Sequence, residues 1–343
     1  MAGILKALGR KSSDDVKAKV SLPALIASLR ADPSPSNLEK LCEGLDVLLS
    51  SPVPSPEELE TLQSLLLERP AAAAGSPVGS PVGEPGPSKG DGEEERSPLE
   101  MCVGGMPQLE FEKKKSTCTT LLNVLSPPPP LPTSFYTLLT TIQNSNAPSC
   151  LPLGNLLRHT LSHPPNASTY LESPTFLTVS IMELPLSPNF DVLSDAFSTL
   201  KVSFTSPTSS PYLETNYTPF FTSFTHLLTS SNYVTRRFSL QLLSSVLLSR
   251  SNFNVMMRYI SSLPSLKQIM NLLRDPHPNI QYESFHVFKV FVVNPRKTKE
   301  VEEVLRLNKV KLVKFLEGRW KDREGEGNFK GERELVRKTL EEL

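Results

Sequence analysis

Four small residues, Gly154, Ala196, Ser239 and Ser284, recur at intervals of 42, 43 and 45 residues, and each opens a run of apolar residues at helical spacing. A period of roughly 40 to 47 residues is the signature of armadillo and HEAT units, in which a small group of helices buries its apolar face only by stacking on the next group. This spacing points to an all-α, armadillo/HEAT-like right-handed helical repeat superhelix, a solenoid. The register extends past the small residue: the fourth position after each is Arg158, Leu200, Leu243 and Phe288, and the seventh is Leu161, Ser203, Val246 and Phe291. A small side chain lets two helices approach closely, and apolar residues three, four and seven positions on seal the contact. The last two copies are clean and the first two are partial. A fainter copy starts at Cys118, followed by Leu121, Leu122 and Leu125, but its interval of 36 residues to Gly154 lies off the period.

A chain of 343 residues with 38% apolar content can bury a large core. Its 36 basic and 36 acidic residues balance, so nothing global favours nucleic acid or an anionic membrane surface. The distribution is uneven. Between Ser116 and Asn232 only Arg158, Glu172, Glu183, Asp191, Asp195, Lys201 and Glu214 are charged, whereas Tyr233–Leu343 carries 21 basic against 13 acidic residues. An acidic peptide or protein partner would be drawn to that end.

Cys42, Cys102, Cys118 and Cys150 lie far apart with no CxxC pair, in a chain too long to need disulfide staples, and are read as reduced core thiols. The amino terminus, MAGILKALGRK, is too short and too soon charged for a signal peptide. No stretch approaches the roughly 20 apolar residues of a membrane span. The expected location is cytoplasmic, and the glycosylation tripeptides at Asn166 and Asn216 are then chance matches.

Along the chain, residues 12–68 look helical, with a first turn capped from Ser12, Ser13, Asp14 and Asp15 and a face formed by Leu38, Leu41, Leu45, Val47 and Leu48. Residues 1–69 are thus the first helices of the array. Residues 70–98 form a Pro-, Gly- and Ser-rich linker whose composition cannot bury enough surface to offset ordering entropy. Its Ser-Pro dipeptides at Ser76, Ser80 and Ser97 suggest proline-directed phosphorylation, although such dipeptides also arise freely in tracts of this composition. Residues 99–343 form the main repeat region. Within it Ser126–Pro132 reads as a loop, with a docking site for a polyproline reader as the alternative. Phe253, Met256, Met257 and Ile260 form one helical stripe, and Leu266, Ile269, Met270 and Leu273 another. The next helix, bounded by Asp275–Pro278 and Asn294–Pro295, presents Ile280, Ser284, Val287, Phe288 and Phe291 as its core face. A helix over 299–316 is expected to stop at Gly318 in the left-handed position, and a last helix over 332–343 to pack Leu335, Val336 and Leu340.

No catalytic constellation stands out. GxGxxG, the P-loop, HExxH, GxSxG and zinc-spaced Cys/His clusters are all missing from the sequence. His159 and His163 are the one i, i+4 histidine pair and have no third ligand near in sequence. The acidic run Asp91–Glu95 lacks the alternating oxygen ligands of a calcium loop. The expectation is a protein that is not an enzyme and needs no cofactor or metal.

The segments Asn232-Tyr233-Val234-Thr235-Arg236-Arg237-Phe238-Ser239-Leu240, Asn252-Phe253, Met270-Asn271-Leu272-Leu273-Arg274-Asp275 and Asn279 through Pro295 resemble the mouse-protein-25 family, also called calcium-binding protein 39 or Mo25-like proteins. The resemblance extends at lower identity over about 99–343 and is faint in the first 70 residues. It implies a curved helical repeat scaffold that binds and activates protein kinases without catalysis, holding a STRAD pseudokinase or a sterile-twenty, germinal-centre type kinase on its concave face. A separate pocket near the carboxyl end of such scaffolds takes a Trp-Glu-Phe motif from the partner's tail, and by motif position its residues here would be Tyr233, Arg237, Arg250, Phe253 and Met270. Two aromatic anchors and one carboxylate call for an apolar groove with a guanidinium at its rim. Met270 and Phe253 can supply the groove and Arg237 and Arg250 the charge. Alternatively, Met270 and Phe253 are core residues and the arginines a solvated face. Gln241 stands where the family places a Lys, which would leave the carboxylate contact weaker or carried by Arg237 and Arg236. The family name implies calcium, and no calcium site is visible. The rival reading is a general armadillo-type adaptor for transport or cytoskeletal cargo, against which the single Trp320 argues. Either protein would be a monomer when free.

Overall fold

The computed structural model describes residues 21–49, 54–69, 96–320, 323, 325 and 327–343. The cap at Ser12–Asp15, Ser76, Ser80 and residues 70–95 of the linker lie outside the described residues. The described residues are all-α with no strand among them, as the repeat spacing implies, and they divide into two units, Met1–Thr175 and Phe176–Leu343.

The first unit contains α1 (Leu22–Ala31), α2 (Pro35–Leu49), α3 (Pro56–Leu67), α4 (Pro98–Gly105), α5 (Phe111–Val124), α6 (Thr133–Ser145), α7 (Ala147–Thr160) and α8 (Pro164–Leu171). Helices α2, α5 and α7 lie side by side, with Leu38, Leu41 and Leu45 of α2 fully buried. Cys118 and Gly154 are each the eighth residue of their helix, and both are buried in this stack. The faint copy at Cys118 therefore belongs to the repeat. Its short interval arises because α6 alone separates α5 from α7, whereas two helices separate the later copies.

Two polar side chains pin the proline-rich loop. Gln63 Nε2 donates to the carbonyls of Val124 and Pro127 at 2.9 and 3.0 Å. Asn166 Oδ1 accepts from the Leu131 amide at 2.8 Å while its Nδ2 donates to the Pro129 and Thr160 carbonyls. Asn166 is accordingly buried and serves as a structural clamp. His159 Nε2 bonds the Leu125 carbonyl at 2.9 Å, and His163 immediately precedes α8. The Ser97-Pro98 dipeptide is also structural: Ser97 Oγ accepts from the Glu100 amide and the Glu100 carboxylate accepts from the Ser97 amide, a capping box that starts α4. All four cysteines are buried, and none is in a disulfide.

The second unit opens with a π-helical segment (Phe176–Glu183) and continues through α9 (Phe190–Thr205), α10 (Ser209–Thr215), α11 (Tyr217–Leu228), α12 (Tyr233–Leu248), α13 (Phe253–Ile260), α14 (Leu263–Leu272), α15 (Pro278–Val293), α16 (Lys299–Gly318) and α17 (Phe329–Glu342). Helices α10–α12 and α13–α15 are successive triplets, each ending in a helix of 16 residues. The long helices start from defined caps. Asn189 and Asn232 side chains accept the first amides of α9 and α12, and Pro278 opens α15 where no amide partner is needed. Ala196, Ser239 and Ser284 are each the seventh residue of α9, α12 and α15, which pack in that order. Ser239 and Ser284 are fully buried, and their hydroxyls donate within their own helices to Thr235 and Ile280 carbonyls at 2.7 and 2.6 Å. They fill the crossing without asking a neighbouring helix for a partner.

Two local expectations, on Gly318 and on Leu335, are corrected, and the stripe on α13 is placed. Gly318 is the last residue of α16 and Arg319 follows in extended conformation, while the left-handed residue is Trp320 at φ 56°. Its indole is 7% exposed and packs edgewise against Phe315 and Phe329, and burial of that large ring offsets a backbone conformation that disfavours bulky residues. On α13 the buried side chains are Val255, Tyr259 and Ile260, so Phe253, Met256 and Met257 are not core residues. On α17 the core is Phe329, Val336 and Leu340, and Leu335 is 52% exposed. These outward-facing residues converge.

Candidate functional site

The carboxyl end of α12 sets the geometry. The helix ends at Leu248, Ser249 is extended, and buried Asn252 reaches back with its Nδ2 to the Val246 carbonyl at 3.0 Å. That bond satisfies one of the unpaired carbonyls of the helix end and fixes where α13 begins. Phe253, first in α13, is thereby turned outward and is 58% exposed. The following repeat ends in a comparable way. Asn294, after α15, is buried and exchanges hydrogen bonds with the backbone of Arg296, and the Asn294 carbonyl accepts from Lys297 Nζ at 2.7 Å.

Between these two repeat ends and α17 lies an apolar groove of about 580 Å3. Leu248 and the Phe253, Met256, Met257 and Ile260 stripe form one wall, Val290, Val293 and Pro295 the next, and Leu335 and Val336 the third. The charged residues lining it are Lys289, Arg296 and Glu332. Lys289 Nζ and Glu332 Oε2 pair at 2.6 Å, with His286 Nδ1 3.9 Å from the same oxygen. Methionines beside an exposed phenylalanine make a wall that adapts to bulky apolar groups.

The five residues grouped by motif position fall in three places. Tyr233 and Arg237 are a turn apart on the amino-terminal half of α12, facing α15: Asn279 Nδ2 donates to Tyr233 Oη at 3.0 Å, and Arg237 Nε reaches Glu283 Oε1 at 3.4 Å. Gln241, one turn further, donates to the same Glu283 oxygen. Arg250 and Phe253 lie past the opposite end of this 16-residue helix, whose length is about 24 Å. Phe253 lines the groove and Arg250 is exposed in the turn before it. Met270 is half-buried on α14 and is not among the residues lining the groove. Arg236 is committed to the fold, its guanidinium donating to the Ser230 carbonyl at 2.7 Å and pairing with Asp275 at 3.4 Å.

Met256, Met257 and Leu335 were legible in sequence only as parts of helical stripes, and Leu248 and Val293 belonged to none. The available signal was that Asn252 and Asn294 each follow a long helix and precede a new one, a place where side chains are released from the core. Among the described residues no group of three or more His, Cys, Asp or Glu is placed to hold a metal ion, and no helix is long and apolar enough to cross a membrane.

The Mo25-like family model matches residues 95–343, which include the groove and the α12–α15 face. A Mo25-like protein of Schizosaccharomyces pombe is 40% identical over 256 residues, covering 71% of this chain and 77% of its own length. A calcium-binding protein 39-like protein of Mus musculus is 38% identical over 253 residues, covering 70% and 74%. MO25-like protein 2 of Caenorhabditis elegans is 36% identical over 256 residues, covering 71% and 75%.

Proposed function

The chain belongs to the Mo25-like family, and from that premise we propose that it is a cytoplasmic, non-catalytic scaffold that binds and activates a protein kinase or pseudokinase of the STRAD-like or sterile-twenty, germinal-centre type. The kinase domain sits on the concave face that the family resemblance implies, and a Trp-Glu-Phe-like tail docks near the carboxyl end. Activation works by population shift: contacts made only with the closed kinase favour that state.

The observation that carries this reading is the groove itself. Leu248, Phe253, Val293 and Leu335 are each more than a third exposed and line one concavity, an arrangement of apolar surface that favours a partner's bulky anchors. Aromatic rings of a tail would settle between Phe253, Met257 and Leu335.

A labelled Trp-Glu-Phe peptide titrated by fluorescence anisotropy tests the site. Phe253→Ala and Met257→Ala are expected to weaken binding by about tenfold or more. Undiminished binding by both, with loss in Arg237→Ala or Met270→Ala, moves the tail to the other face. A kinase assay with and without the protein tests activation, and an unchanged rate with every co-purifying kinase removes it.

A further inference from the structure

Cys42 on α2 and Cys102 on α4 are 60 residues apart in sequence, and the packing of the two helices brings them together. The approach is close at Gly105, where a Cβ would lie 2.7 Å from Leu38 Cδ2, so the α4 backbone sits directly on the Leu38 side chain. One turn on from Leu38 is Cys42, and one turn back from Gly105 is Cys102, which puts both thiols on the faces that meet. Cys102 is fully buried and Cys42 is 7% exposed. The Cys102 thiol donates a hydrogen bond to the Cys42 sulfur, and the Thr117 hydroxyl of α5 bonds the same sulfur from another helix.

The two sulfurs are not equivalent. The hydrogen bond from Cys102, helped by Thr117, holds the Cys42 pKa below the ordinary 9.0 against burial and the Asp46 and Glu39 carboxylates, which act the other way. The same bond, together with burial, raises Cys102 well above that value. Cys42 is therefore both the sulfur that ionises more readily and the one with residual exposure, the two properties that make a thiol react first. Cys102 stands behind it as the second thiol. Burial pushes the neighbouring Cys118 of α5 up to about 12, which keeps it protonated.

We propose that Cys42 and Cys102 form an oxidative modification site, at which hydrogen peroxide converts the thiol pair to a disulfide that links α2 to α4. The Cys42 thiolate attacks one peroxide oxygen: the S–O bond forms, the O–O bond breaks, and the departing hydroxide takes up the proton that Cys42 released and leaves as water. The Cys102 sulfur then attacks the sulfur of the Cys42 sulfenic acid. The S–S bond forms, the S–O bond breaks, and hydroxide leaves with the Cys102 proton as a second water. Two electrons pass from the sulfurs to the peroxide, and both thiol protons end in water. A dithiol reductant reverses the link, which while it lasts ties together two helices distant in sequence and constrains the unfolded chain.

The test is oxidation of the native full-length protein by hydrogen peroxide, with the remaining thiols alkylated and the peptides mapped by mass spectrometry before and after reduction with dithiothreitol. A Cys42–Cys102 crosslink that disappears on reduction is expected. In Cys102→Ser, dimedone should trap a sulfenic acid on Cys42 at roughly tenfold or more the level on Cys118 or Cys150. Cys118→Ser should form the same crosslink as the wild type. A crosslink from Cys42 to Cys118 or Cys150 in place of Cys102, equal dimedone labelling of all remaining cysteines, or four thiols that resist peroxide until the chain is unfolded overturns the proposal. Should Cys102→Ser fail to fold, the wild-type peptide map decides it.

Discussion

Gln241 Nε2 donates to Glu283 Oε1 at 2.6 Å while Arg237 Nε reaches the same oxygen at 3.4 Å, so one carboxylate of α15 serves two side chains a turn apart on α12. A Lys at position 241 would make this a second ion pair, whereas Gln supplies a neutral donor. Gln241 is exposed, and a pair in that setting contributes about 0–1 kcal/mol. Gln241→Lys is therefore expected to move the thermal midpoint by less than about 3 °C. Scanning calorimetry checks this, and a much larger shift would mean that Gln241 does more than meet Glu283.

The small residues at the helix crossings make opposite predictions for opposite substitutions. Ser239 and Ser284 bond their own helices, so replacing either with Ala removes a hydroxyl without orphaning a group across the interface. The cost is expected to be within about 1 kcal/mol. Ser284→Leu instead forces a larger side chain into a fully buried site and is expected to destabilise by about 1–3 kcal/mol or more. Urea unfolding of the three variants separates close approach from hydrogen bonding as the reason for the repeat.

Helix α13 presents its two apolar faces to different surroundings. Val255 is buried, so Val255→Ala is expected to cost about 1–3 kcal/mol, whereas Phe253→Ala, on the groove side, costs less than about 1 kcal/mol although it removes more atoms. Denaturant midpoints decide it. A large stability loss for Phe253→Ala would return Phe253 to the core and deprive the groove of its wall.

These cases show what the sequence carried and what it withheld. The ladder of Ala196, Ser239 and Ser284 was readable because close helix approach demands a small side chain at one position per repeat. Cys118 was harder to place because its repeat uses one intervening helix where later ones use two. Periodicity also found the Phe253, Met256, Met257 and Ile260 stripe, but a stripe has the same spacing whether it meets a neighbour or a groove. Only the position of α17 decides that. Tyr233 and Arg250 are close in sequence and stand at opposite ends of one helix, a separation that motif position does not convey.

Glu100 gives the first unit a defined response to acid. It is buried, which alone would push its pKa up, but hydrogen bonds from Ser134 and from the Ser97 amide and hydroxyl, with Arg69 alongside, outweigh burial and hold it below the ordinary 4.5. Ser134 Oγ is 2.5 Å and Arg69 Nη2 2.8 Å from Glu100 Oε1. A carboxyl depressed in the folded state takes its proton first in the unfolded chain as pH falls. Its stabilisation is therefore present above pH 4.5 and lost as pH drops through the lower folded value. Glu100→Gln should cost about 1–3 kcal/mol at pH 7, because it leaves the Arg69 charge and two capping donors poorly met. That difference should narrow as pH falls below 4.5 and through the lower folded value, where the wild type loses what the variant never had. Urea midpoints of both proteins across pH 3–7 measure the gap, and a gap that stays constant with pH would show that Glu100 acts only as a neutral cap.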